Sequence, residues 1–332
     1  MKDRPCPACS AIDPDMTDPS NGESVHAWRD DLIRRAQVSG PPVLTAVCHP
    51  CDGPAMSAAA RAKVLGLITP ILVGPEAKLR KTADDVGVDL SSFQLEFTPH
   101  SHASASRAVA LIRSSEAAIL MKGSLHTDEL MAAVVDTVSG LRTDRRVSQV
   151  YVTHLSTYPR QLMITDAAIN IAPTLMEKRD IVQNAIDLAH SLGLERPKVA
   201  ILSAIETVNP KLQSTLDAAA LCKMSDRGQI SGADLDGPLA FDNAINPEAA
   251  AEKGISSRVA GQADILVAPD LVAGNILAKL LIYLAGADAA GLVLGARAPV
   301  ILTSRADSEA TRITSCALAV LASRAQGIGR LS

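Results

Sequence analysis

Apolar positions beyond residue 40 alternate between two periods. Val43-Leu44-Thr45-Ala46-Val47 is a continuous, β-branched run of strand length, and Ile71-Leu72-Val73-Gly74 and Ala118-Ile119-Leu120-Met121 repeat it. Helical spacing fills residues 55–67, 76–86, 102–113 and 127–138, while 93–97 alternates as a strand does. Strands apolar throughout, set between amphipathic helices, predict a parallel sheet covered on both faces. The first half therefore reads as α/β.

The second half departs from strict alternation. Residues 150–153 and 162–165, separated by Ser156-Thr157-Tyr158-Pro159, pair as a hairpin. Ile181, Ala185, Leu188, Ala189 and Leu192 recur at helical spacing, with Gly193 as the stop. Strands follow at 199–202 and 265–267, helices at 210–223 and 273–284, then strands at 291–294 and 300–303 and a helix over 307–322. Residues 1–24 read as a disordered tail, rich in turn pairs such as Asp13-Pro14, Asp18-Pro19 and Asn21-Gly22. Cys6 and Cys9 in that tail make half a zinc site, and Cys48, His49 and Cys51 lie far along the chain, so no metal is expected.

Composition narrows the classes. The 332 residues are 47% hydrophobic, which excludes a disordered chain and suggests two domains. A net charge of −4 lacks the basic footprint of a nucleic-acid binder, and three Phe, three Tyr and one Trp offer few stacking platforms. The most apolar stretch, 271–301, is interrupted by Lys279, Asp288 and Arg297, so no membrane span is expected. No apolar run follows the first residues, and six cysteines in so long a chain do not suggest a disulfide framework; a cytoplasmic address is expected.

HExxH, GxSxG and GxGxxG do not occur, and the P-loop spacing at Gly286–Gly291 has Leu292 where a lysine is needed. The informative stretch is Thr303-Ser304-Arg305-Ala306-Asp307-Ser308, set between a strand and a helix. Ligands of open α/β sheets bind beyond strand carboxyl ends, where helix N-termini favour anions. Ser304 and Arg305 there can donate to phosphate oxygens, with Arg forking bidentately. Asp307 or Ser308 can equally cap the helix.

Pro269-Asp270-Leu271-Val272-Ala273-Gly274-Asn275-Ile276 with Lys279, then Leu284-Ala285-Gly286-Ala287, Gly291 and Leu302-Thr303-Ser304-Arg305, resemble the phosphate acetyltransferase/butyryltransferase family. Residues 121–127 (MKGSLHT), 165–173 (TDAAINIAP) and 236–242 (DGPLAFD) extend the resemblance from about residue 40 to the end. It looks closest to the butyryltransferase-like branch, and to the transacylase half of fusions with a hydratase-like domain.

The resemblance implies the reaction acyl-CoA + phosphate ⇌ acyl phosphate + CoA, with CoA as substrate and no cofactor. It implies a two-domain α/β fold of mixed and parallel sheets flanked by helices, like isocitrate and isopropylmalate dehydrogenases. The domains would be 25–144 plus 291–332 and 145–290, with the site in the cleft and a homodimer as the assembly. Acyl-CoA, phosphate and acyl phosphate are the expected partners. Arg305 would stabilise the anionic intermediate and Ser304 would bond the thiol or phosphate. Acetate-specific relatives place a carboxylate two helical turns after the Ser-Arg pair; Thr311 stands there, leaving Asp307 as the favoured base and Glu309 nearby. Lys122, Gly123, His126, Asp166, Asn170, Gly274 and Asn275 are the expected substrate- and CoA-binding residues, although Asp166 and Asn170 can equally fix a turn. His100 and His102 read as surface polarity. A metal- or NAD-dependent dehydrogenase on the same fold, and a non-catalytic acyl-CoA or acyl-phosphate sensor, are the competing readings.

Overall fold

The computed structural model describes residues 26–304 and 307–327. The Cys6/Cys9 tail and Arg305 lie outside the described residues. Helix α1 (Ala27–Val38) leads into four parallel strands, β1 (Val43–Cys48), β2 (Ile68–Gly74), β3 (Gln94–Phe97) and β4 (Ile119–Lys122), connected through α2 (Gly53–Val64), α3 (Glu76–Val86) and α4 (Ser101–Arg113). After α5 (Thr127–Val134) comes the antiparallel hairpin of β5 (Ser148–Leu155) and β6 (Tyr158–Thr165). Helix α6 (Leu175–Ser191), β7 (Lys198–Leu202), α7 (Gln213–Asp226), β8 (Asp234–Leu239), α8 (Phe241–Ile245), α9 (Pro247–Glu252) and β9 (Ile265–Val267) follow. The chain ends with α10 (Leu271–Lys279), β10 (Asp288–Leu294), β11 (Val300–Ile301) and α11 (Glu309–Ala325). All the described strands join one 11-stranded sheet, ordered β3-β2-β1-β4-β11-β10-β5-β6-β9-β7-β8. The fold is α/β with a mixed sheet between helices, as the sequence predicts.

Most elements fall where the apolar pattern puts them, and Gly193 turns the chain after α6 at φ +86°. Three corrections have local causes. Helix α5 stops at Val134, not 138, because Asp136 Oδ1 accepts from the N–H groups of Val138 (2.9 Å) and Ser139 (2.7 Å). The helix expected over 273–284 is regular only to Lys279 and then widens into one π-helical turn, Leu280–Leu284. Strand β8 escapes the pattern: Asp-Gly-Pro is poor strand chemistry, tolerated here because β8 is the sheet's edge. Helix α1 also went unforeseen, directly after the tail.

The two faces of the sheet are covered differently. On one face, a single apolar cluster runs from Val47 and Met121 through Val150 and Leu292 to Ile201, under α1, α2, α6 and α11. On the other, the cover is broken. Ala46, Leu120, Val293 and Leu302 pack with α4 and α5, whereas Leu155, Ile164, Ala200 and Leu266 form a separate cluster with α10 residues Ala278 and others. Gly291 of β10 pairs with Tyr151 of β5, which packs against the second of these clusters.

Candidate active site

Strands β1, β4 and β11 run parallel, so their carboxyl ends leave the sheet together. Gly123 follows β4 because no side chain fits: a Cβ would lie 2.4 Å from the His49 carbonyl oxygen and 2.5 Å from that of Cys48. The same close approach lets Gly123 N–H donate to Cys48 O (2.8 Å), while Ser124 donates to His49 O from both N and Oγ (2.9 Å each). Lys122, the last residue of β4, is buried, with Nζ 3.3 Å from Gly123 O.

Beside this junction a cavity of about 500 Å³ is lined by His49, Cys51, Asp52, Lys78 and Ser124, among others. His49 Nδ1 lies 3.1 Å from Ser104 Oγ, and burial, then the Lys78 ammonium, pushes its pKa down. Burial pushes the Cys51 thiol up to about 11.

Beyond β11, Thr303 and Arg312 are buried, whereas Ser304 is exposed. Asp307 does not cap α11. That task falls to Ser308, whose Oγ accepts from Thr311 N–H (3.1 Å). Asp307 instead turns back, and its Oδ2 accepts from Ser304 N–H at 2.6 Å. Burial raises the Asp307 pKa, opposed by that N–H, the Arg312 guanidinium and the Lys122 ammonium. Arg312 Nη1 donates to Thr303 Oγ1 (3.0 Å) and Nη2 to Ser304 O (2.8 Å). Tyr151 faces the same carboxylate: burial, then the Asp307 charge, pushes its phenol up to about 12.

The structure therefore brings Lys122, Ser304 and Asp307 together and adds Arg312 and Tyr151, which the sequence reading missed. A cation four residues past a cap, directly before Ile313 and shortly before the apolar run Cys316–Ala322, is the signal that could have revealed Arg312. His126 precedes α5 at its N-cap position, exposed and without a capping bond. His100 and His102 are more than surface polarity, since His100 Nδ1 accepts from Ala103 N–H as the α4 cap (3.2 Å) and His102 pairs with Glu129 (2.8 Å).

Asp166, Asn170, Gly274 and Asn275 form a second group. Strand β6 runs opposite to β4 and β11, so the turn after it leaves the sheet at the other strand ends. Asp166 is buried and accepts from Gln149, Ala168, Ile169 and Asn170 N–H and from Asn170 Nδ2. Asn170 also donates to Val147 O (2.9 Å) and accepts from Arg146 Nε (2.6 Å). Helix α10 docks on this turn. Asp270 caps it, a Cβ on Gly274 would meet Asp166 O at 2.2 Å, and Asn275 Nδ2 donates to Ala167 O (2.9 Å). The polar atoms of this group hold the turn and the helix to one another.

A family model described as "Phosphate acetyl/butaryl transferase" matches residues 99–320. A phosphate acetyltransferase of Rhizobium meliloti is 60% identical over 88% of this chain and 92% of its own length. A phosphate butyryltransferase of Clostridium acetobutylicum is 43% identical over 81% of this chain and 90% of its own. Among solved structures, a branched-chain phosphotransacylase from Enterococcus faecalis V583 aligns with TM-score 0.75 and 29% identity, over 85% of this chain and 99% of that one. A 4-hydroxythreonine-4-phosphate dehydrogenase from Klebsiella pneumoniae shares the fold alone, at TM-score 0.51 and 15% identity. With the family model spanning residues 99–320 and relatives this similar along most of the chain, this protein belongs to the phosphate acetyl/butyryl transferase family.

Proposed function

We propose that the protein exchanges an acetyl or short-chain acyl group between CoA and inorganic phosphate: acyl-CoA + phosphate ⇌ acyl phosphate + CoA. The observation that carries this reading is 60% identity to a phosphate acetyltransferase along 88% of the chain. The strand-end group supports it with suitable chemistry.

In the direction of thioester synthesis, the CoA thiol loses its proton and its sulfur bonds to the acyl carbon. The carbonyl π pair moves to oxygen, then returns as the bond to the phosphate oxygen breaks. An ordinary thiol has a pKa of about 8.5, so a base is useful, and a carboxylate raised by burial is better matched to it than an exposed one. Asp307 takes the proton. Ser304 hydrogen-bonds the thiol or phosphate, Arg305 stabilises the tetrahedral oxyanion and departing phosphate, and Lys122 adds positive charge. Gly123 lets the backbone after β4 approach β1, and His126 stands exposed at the mouth of α5. Asp166, Asn170, Gly274 and Asn275 act by holding α10 to its turn. Neither a metal nor a redox cofactor is needed to balance this reaction.

The finer organisation we infer is two lobes, 25–144 with 291–332 and 145–290, in a cytoplasmic homodimer. Among the described residues, no helix is long and apolar enough to cross a membrane.

Mixing the protein with CoA and acetyl phosphate should raise the thioester absorbance, and butyryl-CoA with phosphate should lower it, since one methylene discriminates by only about 1–3 kcal/mol. No thioester formed from either acyl group would remove the proposal in favour of a sensor or a dehydrogenase. Arg305→Ala should cut kcat by about two to three orders of magnitude, and Arg305→Lys should recover only part.

A further inference from the structure

We propose that Arg312 is a positioning residue and the site's fixed cation: it holds Ser304 in place and leaves a positive charge that the phosphoryl group neutralises. The inference rests on the acyl-transfer reading above. Three observations carry it.

First, Arg312 is 4% exposed, yet no carboxylate among the described residues lies within ion-pair distance. Second, its Nε–H is buried without any hydrogen-bond partner. An unpaired buried cation is costly, and an anionic ligand offsets that cost. Third, its place is functional: Arg312 Nη2 holds Ser304 by its carbonyl (2.8 Å) while Asp307 Oδ2 holds the same residue by its N–H (2.6 Å). Ser304 is thus fixed from both sides, with its exposed side chain directed by neither. The Ser308-capped start of α11 adds the positive end of a helix dipole to the same spot. Tyr151 and Lys122 are the other titratable groups that face Asp307 here, and Lys122 adds a second positive charge.

The test uses the full-length protein with Arg312→Met, which keeps length without charge, and Arg312→Lys, which keeps charge without the fork. Inorganic phosphate should raise the thermal midpoint of the wild type and leave that of Arg312→Met unmoved. The methionine variant should raise KM for phosphate at least tenfold, about the loss expected for a charge-assisted contact, with KM for CoA within about threefold. Arg312→Lys should keep phosphate KM within about threefold but lower kcat about tenfold, because an ammonium lacks the rigid fork with which Nη1 and Nη2 hold Thr303 and Ser304. A methionine variant with unaltered phosphate KM and midpoint shift overturns the proposal, as do equal losses toward both substrates. Should that variant fail to fold, the lysine variant decides: retained phosphate KM with reduced kcat sustains the proposal, and any other pattern overturns it. A wild type that neither transfers acyl groups nor responds to phosphate would instead sink the acyl-transfer reading itself.

Discussion

Replacing Asp166 by Asn separates a structural carboxylate from a substrate ligand. Its Oδ1 accepts from the N–H groups of Gln149 (3.3 Å), Ala168 (3.0 Å) and Ile169 (3.1 Å), and its Oδ2 from Asn170 N–H (3.0 Å) and Asn170 Nδ2 (2.5 Å). Asparagine has one acceptor atom. It would serve the three donors on the Oδ1 side and turn its own NH2 toward the other two. The side chain is 3% exposed, so water cannot replace the lost acceptor. Two stranded buried donors at about 1–3 kcal/mol each cost about 2–6 kcal/mol. At roughly 2 °C per kcal/mol for a chain of this length, the thermal midpoint should fall by about 4–12 °C. Calorimetry on the purified variant, with CoA and phosphate KM measured below its transition, gives both readouts. A midpoint within 1 °C of wild type would refute the argument, and a selective rise in CoA KM would make Asp166 a ligand.

Asp307→Asn should behave in the opposite way. Burial raises the folded-state pKa of Asp307, so its contribution to stability is complete below the unfolded carboxylate pKa and is lost as pH rises through the folded value. The asparagine variant should therefore be more stable than wild type at pH 7, match it at low pH, and lose most acyl transfer; chemical denaturation at several pH values checks the first two points and thioester formation the third. Gly274→Ala places a Cβ 2.2 Å from Asp166 O, backbone that cannot yield cheaply, and should destabilise by about 1–3 kcal/mol in urea unfolding. Gly123→Ala meets His49 O at 2.4 Å and should lower kcat as well as stability, since Lys122 moves with it; an active, stable variant counts against the strand-end site.

The strands and helices were legible where burial imposes a period. Helix α3 spans Glu76–Val86, as the spacing predicts, and β1 begins at Val43 because its apolar run does. Strand β8 was not legible because an edge needs only one pairing partner, and pairing leaves no mark on Asp234–Leu239. At the candidate site, residue type showed but direction did not. Asp307 and Ser308 are both good caps, and only the fold decides that Ser308 caps while Asp307 turns back to Ser304. Arg312 follows Ser308, Glu309 and Thr311, a polar first turn that reads as solvated; its burial comes from the packing of α11 onto β10 and β11, contacts remote in sequence. Asp166 carried a carboxylate's two meanings, ligand or turn, and five donors converging from residues 149–170 choose the second.

The two faces of the sheet are covered unevenly, and the difference separates apolar burial from the candidate site. The unbroken face, with Val47, Met121, Leu292 and Ile201 under α2, α6 and α11, carries the apolar burial that both halves share. On the other face the apolar cover is split into two clusters, one holding Cys48 and the other packed by Tyr151. Pairing puts Cys48 beside Lys122 on β1 and β4, and Gly291 beside Tyr151 on β10 and β5. Gly291 has no side chain to fill the gap, and a Cβ there would lie 3.1 Å from Tyr151 Cε1. Lys122 acts on the Asp307 carboxylate, and that carboxylate in turn acts on the Tyr151 phenol. A half-buried carboxylate and a buried guanidinium would each weaken an ordinary core. Here both lie where β11 gives way to the start of α11, bonded to the Thr303-Ser304 backbone and side chain. The arrangement keeps the two cations, Lys122 and Arg312, dry and preorganised, which is the condition under which fixed dipoles and cations stabilise a developing anion most strongly.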